Sequence, residues 1–104
     1  MGVYALAAPA RLVAPFNITL GSATARAEVR AVYGGFGLAI AAMLVTALTA
    51  PELRAGILMT VAAALAGMAL GRAASALQGR TTFYPNWFYF LVESVAAAAL
   101  FAVA

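Results

Sequence analysis

Three long apolar stretches separated by short polar segments dominate the hydrophobic pattern of the chain. They cover residues about 31–50, 53–78 and 86–104. Each is close to the ~20 residues that an α-helix needs to cross a bilayer. The pattern therefore predicts an all-α fold, a polytopic transmembrane helix bundle with three full spans.

The apolar residues before the first span, 1–16, are too few and too interrupted for a complete crossing. Residues 3–16 would rise only ~21 Å as a continuous helix, against a hydrocarbon core of ~30 Å. Pro9 and Pro15 further disfavour an uninterrupted helix. We expect a short apolar helix or half-span here, and no straight helix of about 20 residues.

A polar segment over residues 17–29 follows, and its composition predicts a loop. Ser22 or Thr24 can cap the helix after it, which would place Glu28 in the first turn of that helix. With the three-span bundle over residues 30–104, these segments are expected to form a single transmembrane domain, residues 1–104.

Two charges interrupt the last two spans, Arg72 in one and Glu93 in the other. The connection over residues 79–86 is short, so the two helices should run antiparallel. At ~1.5 Å per residue, both charges lie roughly 10 Å below the connection. Because an isolated charge in lipid costs several kcal/mol, we expect a buried Arg72–Glu93 ion pair. In one alternative Arg72 snorkels to the interface and Glu93 is protonated, and in another the two form a working proton or substrate site.

Small residues recur at spacings of three or four and predict close helix packing. The pattern favours packing within the chain, with homodimerisation or docking to a partner protein as the alternatives. The predicted packing positions are Gly34, Gly35, Gly37, Gly67, Gly71 and Ser75.

Aromatic residues are concentrated where the last span begins. Tyr84, Trp87, Phe88 and Tyr89 are typical of an aromatic belt at a membrane interface. A contact with a lipid, a quinone or a carotenoid is the alternative. By helical spacing, Asn86, Tyr89 and Glu93 share one face, which should point inward.

Composition supports the membrane assignment and narrows the chemistry. The chain is 66% hydrophobic and only 9% charged, whereas soluble domains carry about 25% charged residues. It has no cysteine and no histidine, so thiol and imidazole chemistry are excluded. The net charge of +3 is small and scattered, which argues against nucleic acid as a partner. We therefore expect no enzyme activity, no metal and no cofactor.

The distribution of arginine predicts the orientation. Arg26, Arg30 and Arg80 lie on one side of the predicted bundle, and Arg54 lies on the other. The positive-inside rule places the first side in the cytoplasm. We expect a multi-pass protein of the bacterial inner membrane with a periplasmic C-terminus.

The motif R-x-x-Y-G-G at residues 30–35, followed by Gly71-Arg72 and by Glu93 in the last span, resembles a family of small four-helix bacterial membrane proteins of unknown function. The resemblance covers residues 12–104 and implies a first helix that ends near Pro15, so the N-terminus is expected to be shortened. It also implies that Arg30, Tyr33, Arg72 and Glu93 are the polar positions to test.

Three functions fit this pattern. The first is a non-catalytic accessory or assembly subunit of a larger inner-membrane complex, respiratory or photosynthetic. The second is a small homodimeric proton-coupled transporter that uses Glu93, and the third is an enzyme acting on a lipid or quinone. The sequence favours the first, with membrane lipids and other integral membrane subunits, or a second copy of the chain, as partners.

Overall fold

The computed structural model describes residues 1–81 and 83–104. All of the regular secondary structure in these residues is helical. Its α-helices are α1 (Gly2–Ala7), α2 (Pro9–Val13), α3 (Ala23–Val29), α4 (Phe36–Thr49), α5 (Pro51–Ser75) and α6 (Phe88–Val103). A short 3₁₀ turn, Ala14–Phe16, follows α2, and a π-helical segment, Arg30–Gly35, joins α3 to α4.

Three helical stretches are long and apolar enough to cross a membrane. They are Ala23–Thr49, Pro51–Ser75 and Phe83–Val103. The prediction of an all-α fold with three spans is therefore confirmed.

The first span begins earlier than the sequence pattern predicts. Helix α3 starts at Ala23, and the Ser22 side chain caps it by accepting a hydrogen bond from the Ala25 N–H at 3.0 Å. The predicted loop over residues 17–29 is thus wrong beyond Ser22, and Glu28 lies in the second turn. Polarity does not prevent a helix here, because alanine and arginine have high helix propensity.

The turn between the last two spans also begins earlier than predicted. Helix α5 ends at Ser75, and residues 76–78 form a turn with backbone bonds three residues apart, instead of extending the helix to residue 78. Before α6, Phe83–Trp87 is irregular, because Tyr84 is extended with φ −101° and ψ 130°. Thr82, inside the predicted connection, lies outside the described residues.

The N-terminal segment is broken, as predicted. Helix α1 ends at Ala7, the next residue Ala8 is non-helical with φ −140° and ψ 66°, and Pro9 then opens α2. Proline suits a first helical position because it lacks an N–H to donate. The expectation that this segment forms no straight helix of about 20 residues is confirmed.

By its contacts the chain divides into two compact units, Met1–Met43 and Leu44–Ala104. The single transmembrane domain over residues 1–104 stays a prediction.

In the first unit, α1 packs against the π-helical segment. Gly34 is buried at this contact, and a Cβ added there would lie only 2.7 Å from Leu6 Cδ2. The Arg30 Nε–H donates to the carbonyl oxygen of Leu6 at 3.0 Å. The motif residues Arg30 and Gly34 thus both contact Leu6 of α1. Arg30 donates a hydrogen bond to its carbonyl oxygen, and Gly34 packs closely against its side chain.

In the second unit, α5 packs along α6. The buried positions are Val61, Ala62 and Ala69 on α5 and Glu93 and Ala97 on α6. Small buried side chains let the two helices approach closely.

Arg54, in the first turns of α5, binds the end of the preceding helix. Its Nε donates to the Ala47 carbonyl at 2.8 Å and its Nη2 donates to the Leu48 carbonyl at 3.2 Å. The last carbonyls of a helix have no partner within that helix. Arg54 therefore caps α4 with charge-assisted bonds, a role beyond the topology signal that its position suggests.

The packing of α1 can be tested at Gly34. We expect Gly34→Ala to lower stability by ~1–3 kcal/mol, because the added methyl group overlaps Leu6. Thermal unfolding in detergent measures the change.

Gly35→Ala is the matched control, because a Cβ there meets only the Arg30 carbonyl oxygen at 3.9 Å. Gly35→Ala gains the same helix propensity as Gly34→Ala, but its added methyl group does not overlap Leu6. Equal melting temperatures for the two variants would contradict the packing argument.

Candidate functional site

Arg72 and Glu93 form an ion pair between α5 and α6. The Arg72 Nε donates to Glu93 Oε1 at 2.8 Å. The Glu93 side chain is 6% exposed and that of Arg72 is 22% exposed. The structure thus brings together the two charges that the sequence places in the last two spans.

The hairpin geometry explains why these two residues meet. Arg72 lies three residues before the end of α5 at Ser75, and Glu93 lies five residues after the start of α6 at Phe88. These separations correspond to ~5 Å and ~8 Å along the helix axes. The pair is therefore closer to the connection than the ~10 Å that the sequence predicts, because α5 ends before residue 78.

Tyr89 contributes a third interaction to this site. The Arg72 Cζ lies 5.3 Å from the centre of the Tyr89 ring, within the range of a cation–π interaction. Tyr89 precedes Glu93 by four residues, so one face of α6 carries both groups that contact Arg72. That spacing indicates a shared face, but the sequence alone does not reveal the contact between the ring and the guanidinium.

This arrangement binds the two charges to each other. The carboxylate of Glu93 accepts a charge-assisted hydrogen bond, a class of bond that is stronger than one between neutral groups. Because Glu93 is buried, loss of the Arg72 charge would leave it uncompensated in an apolar surrounding. Among the described residues, no group of three or more carboxylate, cysteine or histidine side chains is placed to hold a metal ion.

The aromatic residues at the start of α6 form two groups, a cluster of Tyr84, Phe88 and Tyr89 and a pair of Trp87 and Phe90. Tyr84 lies 5.5 Å from Phe88 and 6.2 Å from Tyr89, measured between ring centres. Phe88 and Tyr89 meet edge to face at 5.2 Å, as do Trp87 and Phe90. These separations are those of favourable aromatic pairs. Through Tyr89, the cluster continues to the ion pair.

The resemblance to small bacterial membrane proteins also implies roles for Arg30 and Tyr33. Arg30 is engaged within the first unit, where it binds the Leu6 carbonyl. Tyr33 lies in the π-helical segment and is 38% exposed. Arg30 thus acts in the packing of α1, which the sequence does not predict because Leu6 is 24 residues away.

The predicted packing positions fall into two groups. Gly34 lies against Leu6, and a Cβ at Gly37 would lie 4.0 Å from Gly2 Cα, so these two positions do pack within the chain. A Cβ at Gly35 meets only the Arg30 carbonyl oxygen of its own segment.

On α5, Gly67 and Gly71 lie outside the contact with α6, and packing of these positions elsewhere in the chain stays a prediction. No described atom outside the helix's own backbone and the neighbouring residues lies within 4 Å of a Cβ added at Gly67 or Gly71. Ser75 is exposed and its hydroxyl donates to the Gly71 carbonyl at 3.2 Å. Gly67 and Gly71 do not contact α6 because α5 buries its other face, which carries Val61, Ala62 and Ala69.

The ion pair can be tested by charge removal and exchange. We expect Glu93→Gln to lower stability by ~3–5 kcal/mol, because Arg72 loses its counter-charge inside the hairpin. The exchange of Arg72→Glu with Glu93→Arg should recover part of this loss. Thermal unfolding in detergent measures both.

Glu28→Gln is the control, since Glu28 is exposed and lies outside the hairpin. This substitution removes the same charge without touching the ion pair. Unchanged stability in Glu93→Gln would contradict a structural role for the pair.

The chain was compared with protein-family models, with curated proteins and with solved structures. A family model described as "Domain of unknown function (DUF4345)" matches residues 1–104. The comparisons with curated proteins and with solved structures gave no significant match. Since the family model covers the chain from end to end, the protein belongs to the family of the domain of unknown function DUF4345.

Proposed function

We propose that this protein is a non-catalytic accessory or assembly subunit of a larger membrane complex, in the inner membrane of a bacterium. The observation that carries the proposal is the ion pair between Arg72 and Glu93. A carboxylate that carries protons or substrate must exchange its partner during each cycle. Glu93 is instead buried and held by a short bond to Arg72, which favours a role in holding α5 and α6 together.

The outer face of α5 supports docking to another membrane protein. By helical spacing, the small exposed residues of α5 share one face, and the larger exposed side chains of Met59, Met68 and Leu70 flank it. These positions are Gly56, Thr60, Ala63, Ala64, Gly67, Gly71 and Ala74. Small residues let a neighbouring helix approach closely in lipid. We propose that a transmembrane helix of a partner subunit packs here.

Native mass spectrometry of the protein extracted from its own membrane tests this proposal. A complex much larger than two copies of the 10.6 kDa chain is expected. Gly67→Leu should deplete that complex, because the added side chain fills the surface on which the partner helix packs. A lone chain would contradict the proposal.

Ala98→Leu is the matched control, because it places the same leucine side chain at an exposed position of α6. It should leave the complex intact. Equal loss with both variants would mean that added bulk anywhere on the hairpin disrupts assembly, and it would contradict a specific role for the Gly67 face.

A homodimeric proton-coupled transporter is the second candidate, since an ionisable residue inside a span is often functional. Glu93 is the residue that would serve it, being both buried and in a predicted span. A homodimer in the same measurement, with proton uptake that Glu93→Gln abolishes while the fold stays stable, would favour the transporter.

The proposed orientation has its own test. Because Arg26, Arg30 and Arg80 should be cytoplasmic, a reporter fused after Ala104 is expected to lie in the periplasm. Alkaline phosphatase fused at that point should be active, and the same enzyme fused after Arg80 should be inactive. The reverse pattern would overturn the orientation.

A further inference from the structure

A cleft opens at the loop end of the hairpin of α5 and α6. Its volume is about 470 Å³, which lies at the lower end of the ~300–1,000 Å³ typical of ligand sites. It is lined by Ala76, Gly79, Arg80, Thr81 and Trp87. Ala76 and Gly79 are small, so the backbone borders the cleft where larger side chains would fill it.

Three of the lining residues, Arg80, Thr81 and Trp87, carry hydrogen-bond donors. Within residues 1–81 and 83–104, the Arg80 guanidinium and the Trp87 indole N–H donate to no protein acceptor. The Thr81 hydroxyl oxygen accepts from Asn86 Nδ2 at 3.0 Å, which leaves its hydrogen to donate elsewhere. The lining therefore offers three kinds of donor and a full positive charge.

The charge balance at this end of the hairpin selects an anion. Arg72 lies one helical turn before Ala76, but Glu93 already compensates it. Arg80 is exposed and forms no ion pair with another described residue. The cleft thus has one cation available for a ligand, and arginine matches the geometry of a phosphate group well.

The position of the cleft indicates which molecule would carry the phosphate group. It lies at the shared end of two helices that are long and apolar enough to cross a membrane, which is the level of the lipid headgroups. Tryptophan and arginine beside a span are typical of this level. We infer that the cleft binds the phosphate of an anionic phospholipid headgroup, with Arg80 as the principal donor.

Trp87 provides a direct test, because it is the only tryptophan in the chain. Lipids that carry bromine on their acyl chains quench a tryptophan beside which they reside. The full chain is reconstituted in phosphatidylcholine vesicles that contain either brominated phosphatidylglycerol or brominated phosphatidylcholine at equal mole fraction. We expect about a fivefold preference of the Trp87 site for the anionic lipid, the effect of one arginine near a charged surface.

Three variants separate a specific site from general attraction to charge. Arg80→Gln should abolish the preference, and Arg80→Lys should retain most of it. Arg26→Gln removes the same charge from the first unit, outside the cleft, and should leave the preference unchanged. Because Arg80 is exposed and forms no hydrogen bond or ion pair with another described residue, its substitution should not disturb the fold.

Several results would overturn the inference. Equal quenching by the two brominated lipids would show that the cleft does not select an anionic headgroup. Equal loss of preference in Arg80→Gln and Arg26→Gln would show that total charge, and no particular site, attracts the lipid. Loss of the preference on addition of inorganic phosphate, at an ionic strength matched with chloride, would show that the cleft takes free phosphate in preference to a lipid headgroup, and it would overturn the assignment to a lipid.

The outcome is independent of the proposed function. Lipid selectivity at Trp87 depends on Arg80 and on the loop end of the hairpin, whereas docking depends on the outer face of α5. Either proposal can fail while the other stands.

Discussion

A full charge inside an apolar hairpin must find a counter-charge, and this constraint governs the second unit. Arg72 and Glu93 meet it by a 2.8 Å bond between α5 and α6. Two helices of mostly apolar side chains have few other features that could fix their register, because lipid tails are as apolar as the helix surfaces. The ion pair and the contact with Tyr89 are directional. They therefore select the one alignment of α5 on α6 that buries the carboxylate.

The sequence predicts the parts of this structure that depend on length, polarity and helical rise. The three spans, the break in the N-terminal segment and the similar depth of Arg72 and Glu93 all follow from such counting. The limits of the helices do not, because capping at Ser22 and the early end of α5 are decided by local hydrogen bonds. Glycine spacing is ambiguous in the same way, since it marks a surface suited to close packing but does not identify what packs there.

The first unit shows why long-range contacts escape this kind of prediction. The motif at residues 30–35 reads from sequence as a glycine-rich helix start. Its structural role depends on Leu6, whose side chain occupies the space left by Gly34 and whose carbonyl binds Arg30. The segment is π-helical, a form that is rare and often found at functional sites. Arg30 and Gly34 are thus explained by the packing of α1, without a need for a ligand.

The polar groups of the hairpin lie in two places, one buried and one at the loop end, and these have different consequences for function. At the buried site, Glu93 and Arg72 compensate each other's charge. A transporter would therefore have to break a buried charge-assisted bond in every transport cycle. At the loop end, Arg80 and Trp87 have donors with no acceptor among the described residues. A charge that is already compensated stabilises the fold, whereas an uncompensated charge at the exposed end of the hairpin is open to an anion. Within the hairpin, the described donors at the loop end, on Arg80 and Trp87, therefore remain open to a ligand, whereas the buried acid does not.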